Sequence, residues 1–376
     1  MIRVLHCVHS MGRGGIETFI MNVYRCIDRN ELQFDFLVTT DKECVHDSEI
    51  LQLGGCIHHV PGRRQGIKKH KKAMDTFFTD HPEYGIIHFH ASSLSNVSAL
   101  RSAECHDVPT RIIHSHSSNQ SSSKKLFLPL HRLLHLWNRR DVRVYATHYL
   151  ACSEPAALWL YGKRQYERKE YEIIHNGTDV RSFRYDPERR KAVRHEHCLG
   201  DAFVIGHVGR FALSKNHAFL VEIFREVVKR CEGARLLLIG DGPLLREIEK
   251  KASHLGLSEN VLFMGVRSDV PALLSAMDVF LMPSFYEGLS CVLVEAQAAG
   301  LPCVASTKAN AEEVKMTEDF MFMSLDKSAA EWAGAVMNFI GRETDRTNGA
   351  AAVIEAGYDV ESTVEKLEHL YCGNCK

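Results

Sequence analysis

The sequence predicts an α/β protein made of two doubly wound, parallel-sheet domains. Three observations carry this. The chain has 376 residues, more than one compact core usually holds, since single domains cluster near 100–150 residues. Short apolar runs of strand type alternate with segments of helical period along its whole length, the pattern of a parallel sheet covered by helices on both faces. Near residues 176–200 that pattern is broken by the turn dipeptide Asn176-Gly177 and a strongly polar stretch from Arg181 to His197, which reads as the crossover between domains.

In chain order, a first strand at Ile2–Val8 runs into a glycine-rich turn (Gly12, Gly14, Gly15) and a helix over Ile16–Cys26. Further strands are predicted at Phe34–Thr39, Cys56–Val60, Gly85–Phe89, Arg111–His114, Tyr149–Cys152 and Ile173–His175. The second half repeats the theme. Phe203–Val208 reads as a strand, and Asn216–Cys231 as an amphipathic helix with Leu220, Ile223, Phe224 and Val227 on one face. Arg235–Ile239 reads as a strand that ends in the sharp turn Gly240-Asp241-Gly242-Pro243. Strands follow at Val261–Met264, Val279–Met282 and Pro302–Ser306, separated by helices near Val270–Met277 and Leu289–Ala299. The domain boundaries expected are 1–180 and 181–376, with the final helix able to pack back on the first domain. Two such domains facing each other leave a crevice at the carboxyl ends of their strands, where ligands bind in this architecture.

Composition narrows the function classes. The formal net charge is −1, so no global field favours nucleic acid. The charge is uneven, about +4 over residues 1–180 and about −5 over the rest. That bias suits an anionic substrate or a membrane surface. The 12 cysteines follow no repeating frame, and Cys7, Cys291 and Cys303 sit inside apolar runs, as reduced thiols do. The lone Cys372–Cys375 pair lacks the second pair of a zinc site. No apolar run approaches the roughly 20 residues of a membrane-spanning helix. The expectation is a cytoplasmic protein, with peripheral contact at the inner membrane face left open.

The chemistry concentrates between Ser284 and Pro302. A strand ends at Pro283, Glu287 lies in the turn, and a helix is expected to start near Gly288, offering N–H groups and a positive dipole end for phosphate through Gly288, Leu289 and Ser290. Glu295 follows Glu287 by eight residues, roughly 10–12 Å along a helix. A sugar, diphosphate and ribose in sequence span a comparable distance. One carboxylate can hold hexose hydroxyls and the other ribose hydroxyls. Gly209-Arg210 and Lys215 follow the first strand of the second domain and bring a planar fork and a point charge suited to diphosphate. Gly14 and Gly15 do not make the dinucleotide G-x-G-x-x-G spacing.

Glu-x7-Glu after an apolar strand, followed by Ala296-x-Ala298-x-Gly300-x-Pro302, resembles the signature of retaining glycosyltransferases of family 4, which have the GT-B fold of two facing Rossmann-like domains. The resemblance extends through Gly14-Gly15-Ile16-Glu17, His114-Ser115-His116, Asn176-Gly177, Gly209-Arg210 with Lys215, Gly240–Pro243 and Gly265. It implies transfer from a nucleotide-diphosphate sugar, with UDP the commonest base, to an acceptor hydroxyl with retention. Glycan or polyprenyl-linked oligosaccharide acceptors of capsule or exopolysaccharide synthesis are customary. Arg210 and Lys215 would neutralise the leaving nucleoside diphosphate, and the Gly14-Gly15 loop would lie near donor phosphate and acceptor. His116, with His114 as its rival, would contact a hydroxyl of the donor sugar. The family needs no metal for transfer, so no cofactor is expected and the His88–His90 and His114–His116 pairs are read as core histidines. Two other readings share the fold: a sugar-nucleotide epimerase and a non-catalytic sugar-nucleotide binding subunit. The basic, Leu-rich segment from Lys124 to Arg140, with Arg63, Arg64 and Lys68–Lys72, reads either as a membrane-surface helix or as a helix packed on its own sheet.

Overall fold

The computed structural model of the protein describes residues 1–12, 14–117, 128–287, 290–307, 312–342 and 345–373. It divides into two compact units, Met1–Gly177 with Val360–Lys376, and Thr178–Asp359. Residues 360–376, which chain order places in the second domain, thus belong to the first.

The first unit holds β1 (Ile2–Val8), β2 (Leu32–Val38), β3 (Ile57–His59), β4 (Ile86–Ala91), β5 (Thr110–Ser115), β6 (His148–Ala151) and β7 (Glu172–Ile173), in the order β3-β2-β1-β4-β5-β6-β7. Every pairing is parallel. The second unit holds β8 (Val204–Val208), β9 (Arg235–Ile239), β10 (Val261–Gly265), β11 (Val279–Met282), β12 (Cys303–Ser306) and β13 (Phe320–Met323), in the order β10-β9-β8-β11-β12-β13. Both sheets therefore wind outward from their first strand and reverse at its far side. The switch points are β1/β4 in one unit and β8/β11 in the other, the places where such sheets receive ligands.

Burial explains the elements. Parallel strands are covered on both faces, so β2 is buried at every position and β11 likewise. The helix His217–Val228 sinks Leu220, Ile223, Phe224 and Val227, spaced on one face, into the second core; removing the Phe224 ring would cost about 3–5 kcal/mol. The terminal helix Val360–Gly373 places Val360, Val364, Leu367 and Tyr371 in the first core by the same spacing.

Two features go beyond the sequence reading, and one corrects it. The polar crossover is helical, at Val180–Phe183 and Pro187–Glu196. Asp186 caps the second of these by accepting from the Glu188 and Arg189 amides, and Pro187 takes the first turn. This helix docks by charge: Arg190 and Arg194 reach Asp278 at 2.6 and 3.4 Å, and Arg190 donates to the Ser275, Ala276 and Met277 carbonyls. Its polarity was therefore a poor guide. Second, Phe320–Met323 forms a thirteenth strand in register with β12. Third, the helix expected to start near Gly288 runs from Cys291 to Ala298, with Ser290 as its cap residue.

Candidate active site

In the second unit the predicted residues gather at the β8/β11 switch point. β8 ends into Gly209 and Arg210, and this loop leans on the turn after β9. Gly209 N–H donates to the Ile239 carbonyl at 2.9 Å, and Phe211 N–H to the Asp241 carbonyl at 3.0 Å. Gly240 has φ +134°, and a side chain there would collide with the Gly209 carbonyl. A glycine is needed both for that conformation and for that approach.

Beyond Phe211 the chain makes a 3₁₀ turn over Leu213–Lys215 and passes through Asn216 in the left-handed region, φ 54°, which Asn tolerates better than most residues. Three ties then join this loop to the one after β11. The Asn216 amide donates to the Pro283 carbonyl at 3.0 Å. Phe285 N–H donates to the Ser214 carbonyl at 2.7 Å. Lys215 Nζ lies 2.8 and 2.9 Å from the two Glu287 carboxylate oxygens. Lys215 and Glu287 are thus brought together, with Glu287 nearly buried. Arg210, by contrast, is exposed.

Glu295 sits within the helix Cys291–Ala298. Burial pushes its carboxyl up to about 7, and the positive charge of Lys215 opposes that shift. Lys215 therefore faces both glutamates electrostatically. Ser290 is buried, with its hydroxyl 3.4 Å from the Met282 sulfur. Gly288 and Leu289 lie outside the described residues. A half-buried carboxyl near neutrality, a lysine, an exposed arginine and a helix start can together bind a nucleotide diphosphate and its hydroxyl-bearing groups.

In the first unit, Gly14 precedes the helix Gly15–Cys26 in extended conformation and its carbonyl accepts from Thr18 N–H at 2.9 Å. His116 follows β5, its N–H bonded to the Ala91 carbonyl at 3.0 Å. Phe19 of that helix lies 5.2 Å from the His116 ring. Burial pushes His116 down to about 3, and the neighbouring Asn176 side chain opposes that shift. Its rival His114 is fully buried, bonded through Nδ1 to His88 Nε2 at 3.2 Å, so His116 is the histidine at the strand end.

His6, His88, His90, His114 and His116 form one cluster. They divide into two triads, His6-His88-His90 and His90-His114-His116, each with one nitrogen from every ring within 4.8 Å of the others. The registers His6↔His88 and His90↔His114 put them on one face of β1, β4 and β5. Their nitrogens are turned on one another and on Tyr371, whose hydroxyl lies 2.6 Å from His88 Nδ1. Sequence reasoning missed Asn216, which joins two loops, and Asn176, which was read only as a turn; neither belongs to a charged motif that would have signalled it.

Two cavities bear on the site. One of about 1180 Å³ opens at the carboxyl ends of β1, β2 and β4, lined among others by His9, Thr39, Lys42, Arg64, His90 and Leu134. One of about 1120 Å³ in the second unit includes Phe203, Asp278 and Pro302, which precede β8, β11 and β12. It lies at the opposite end of the sheet from Lys215; its Arg190, Arg194 and Arg346 are spent on carbonyls and Asp278, and its Arg342 pairs with Asp319.

Residues 13–182 match the model described as Glycosyltransferase Family 4, and residues 202–342 that described as Glycosyl transferases group 1. The chain is 35% identical over 375 residues to EpsF of Bacillus subtilis, named as a glycosyltransferase, covering 98% of this chain and 96% of that one. It is 24% identical to the capsular polysaccharide biosynthesis glycosyltransferase CapH of Staphylococcus aureus, over 99% of each. Among solved structures it resembles Anabaena HepE in complex with UDP, with a TM-score of 0.77, 19% identity and coverage of 99% and 100%. With its two parallel-sheet Rossmann-like units and a relative this similar from end to end, the chain belongs to the glycosyltransferases of GT-B fold.

Proposed function

We propose that the protein moves a sugar from a UDP-linked donor to an acceptor hydroxyl of a growing capsular or extracellular polysaccharide, with retention at the anomeric carbon and without a metal. The observation that carries this is the ion pair of Lys215 with Glu287 at 2.8 Å, set at the β8/β11 switch point with Glu295 in the field of the same lysine. CapH supports the polysaccharide assignment by its name, and HepE supports UDP by its bound nucleotide.

In this reading Glu295 and Glu287 hold ribose and hexose hydroxyls, as their spacing along the chain suggests. Departure of the nucleoside diphosphate builds negative charge on phosphate. Lys215, Arg210 and the helix start at Ser290, with Gly209 beside them, stabilise that charge as it forms. His116 and the Gly14-Gly15 loop address the sugar in this reading. The departing phosphate takes the acceptor proton, and attack occurs on the face the diphosphate leaves. The acceptor is a glycan or lipid-linked oligosaccharide, brought in by peripheral membrane contact through the helix Leu128–Tyr145.

Proton NMR of the product formed from an α-configured UDP-sugar tests this: an α-linkage is expected and a β-linkage overturns retention. Lys215→Ala should lower kcat on the order of 10²-fold, the size of one lost oxyanion contact.

A further inference from the structure

Five histidines meet on one face of β1, β4 and β5, and they do not all play the same part. His90 and His114 are paired across the sheet in register, and the His116 ring lies 4.0 Å from that of His114. One nitrogen from each of these three rings lies within 4.8 Å of the others. We propose that His90, His114 and His116 bind a divalent transition-metal ion, zinc before others, that sugar transfer itself does not use.

The partners of each ring show which nitrogen faces the ion. His90 Nε2 lies 2.9 Å from His6 Nδ1, which leaves Nδ1, and that atom lies 2.9 Å from His116 Nε2. Tetrahedral zinc, at about 2.0–2.1 Å from each nitrogen, sets two of them about 3.3 Å apart. Opening this pair by a few tenths of an ångström and turning the rings admits the ion. His114 Nδ1 lies 3.2 Å from His88 Nε2, and the Tyr371 hydroxyl lies 2.6 Å from His88 Nδ1. His114 therefore has Nε2 to offer. The Ile174 backbone approaches the His114 ring, yet Nε2 is buried and meets no atom in hydrogen-bonding geometry among the described residues. His6 braces one ligand ring through its second nitrogen, and His88 with Tyr371 braces another, as protein groups around bound metals do.

Access separates this triad from the other. His6, His88 and His90 are all buried, which leaves no place for water as a fourth ligand. His116 is only partly buried, and His90 lines the cavity of about 1180 Å³, so an entry path and a fourth position lie beside this set. Three imidazoles suit zinc, cobalt, nickel or copper rather than magnesium or calcium. Burial keeps the rings uncharged at neutral pH, the form in which imidazole ligates. A bound ion holds His116 away from a sugar hydroxyl, so zinc should oppose donor binding; this consequence rests on the reading that His116 contacts the donor.

Calorimetric titration of chelator-treated protein with zinc chloride tests the site, and X-ray absorption of the loaded protein identifies its ligands. One ion per chain is expected, with three imidazole nitrogens at about 2.0–2.1 Å. His116→Ala, at a partly exposed position after β5, should weaken binding on the order of 100-fold, since a ligand counts for at least as much as the group that braces it. His114→Phe should do the same; should it not fold, His116→Ala decides alone. Absence of a stoichiometric site, or a site that His116→Ala leaves at full affinity, overturns the proposal. Zinc should also reduce the rise in melting temperature that a UDP-sugar produces. If the ion binds at the triad and that rise is unchanged, the metal site stands and the placing of His116 at the donor fails.

Discussion

At Glu295 burial and charge pull in opposite directions. Removal from water favours the neutral acid, Lys215 favours the anion, and the carboxyl comes to rest at about 7, above its ordinary 4.5. Because the folded-state value is the higher, the folded chain holds a proton between about pH 4.5 and 7 that the unfolded chain has lost. Stability therefore falls as pH rises through that window and stays reduced above it. Glu295→Gln removes this dependence. The melting temperature of the variant relative to wild type should rise between pH 5 and pH 8 without ligand; the same difference at both values would contradict it. A group so placed is half-ionised near neutrality and gains its charge fully when donor hydroxyls replace the lost water, which couples binding to pH.

Elements place these residues through backbone contacts as much as side chains. The turn after β9 underlies the loop carrying Gly209 and Arg210 because Gly240, at φ +134°, brings backbone against backbone. Gly240→Ala should cost about 1–3 kcal/mol in urea or thermal unfolding and weaken UDP-sugar binding by displacing Arg210. Unaltered stability would mean that the turn can move aside.

The helix Leu128–Tyr145 shows a different logic. Leu133 and Trp137 are 61% and 70% exposed, Leu136 and Val144 also lie open, and Arg132, Arg140 and Arg143 share the exposed side. Its opposite face packs inward through His135 and Val142, as the reading of a helix packed on its own sheet expects; Lys124 to Phe127 lie outside the described residues. Apolar side chains interleaved with arginine suit an anionic lipid surface. Trp137→Ser with Leu133→Ser should reduce sedimentation with phosphatidylglycerol vesicles severalfold and spare solution stability; equal sedimentation would leave the face without that role.

Across the whole molecule, the two sheets share one winding order, and the predicted residues fall beside each reversal point. Much of this was legible because buried parallel strands are continuous apolar runs: Ile2–Val8, Arg235–Ile239 and Val279–Met282 emerge with the same bounds from sequence and structure. The edge strand Phe320–Met323 was not, being short and only partly buried. The helix Pro187–Glu196 was not, because arginines rather than an apolar stripe hold it. Around the proposed site, Lys215 and Glu287 stand out in the sequence as charged residues in separate motifs, and the fold pairs them. The bonds of Asn216 to Pro283 and of His6 to His90 were not legible, since they join residues 67 and 84 positions apart and only the fold reveals them. No helix among the described residues is long and apolar enough to cross a membrane.

The central claim is that this chain binds a UDP-sugar at the β8/β11 switch point. Thermal melting of the purified protein against a panel of nucleotide sugars, with Glu295→Ala in parallel, tests it most directly. A UDP-sugar at about 100 times its dissociation constant should stabilise the wild-type protein by about 2.7 kcal/mol, a clear rise in melting temperature that the variant loses. No rise with any UDP-sugar in a well-folded sample, or an equal rise in Glu295→Ala, would contradict it.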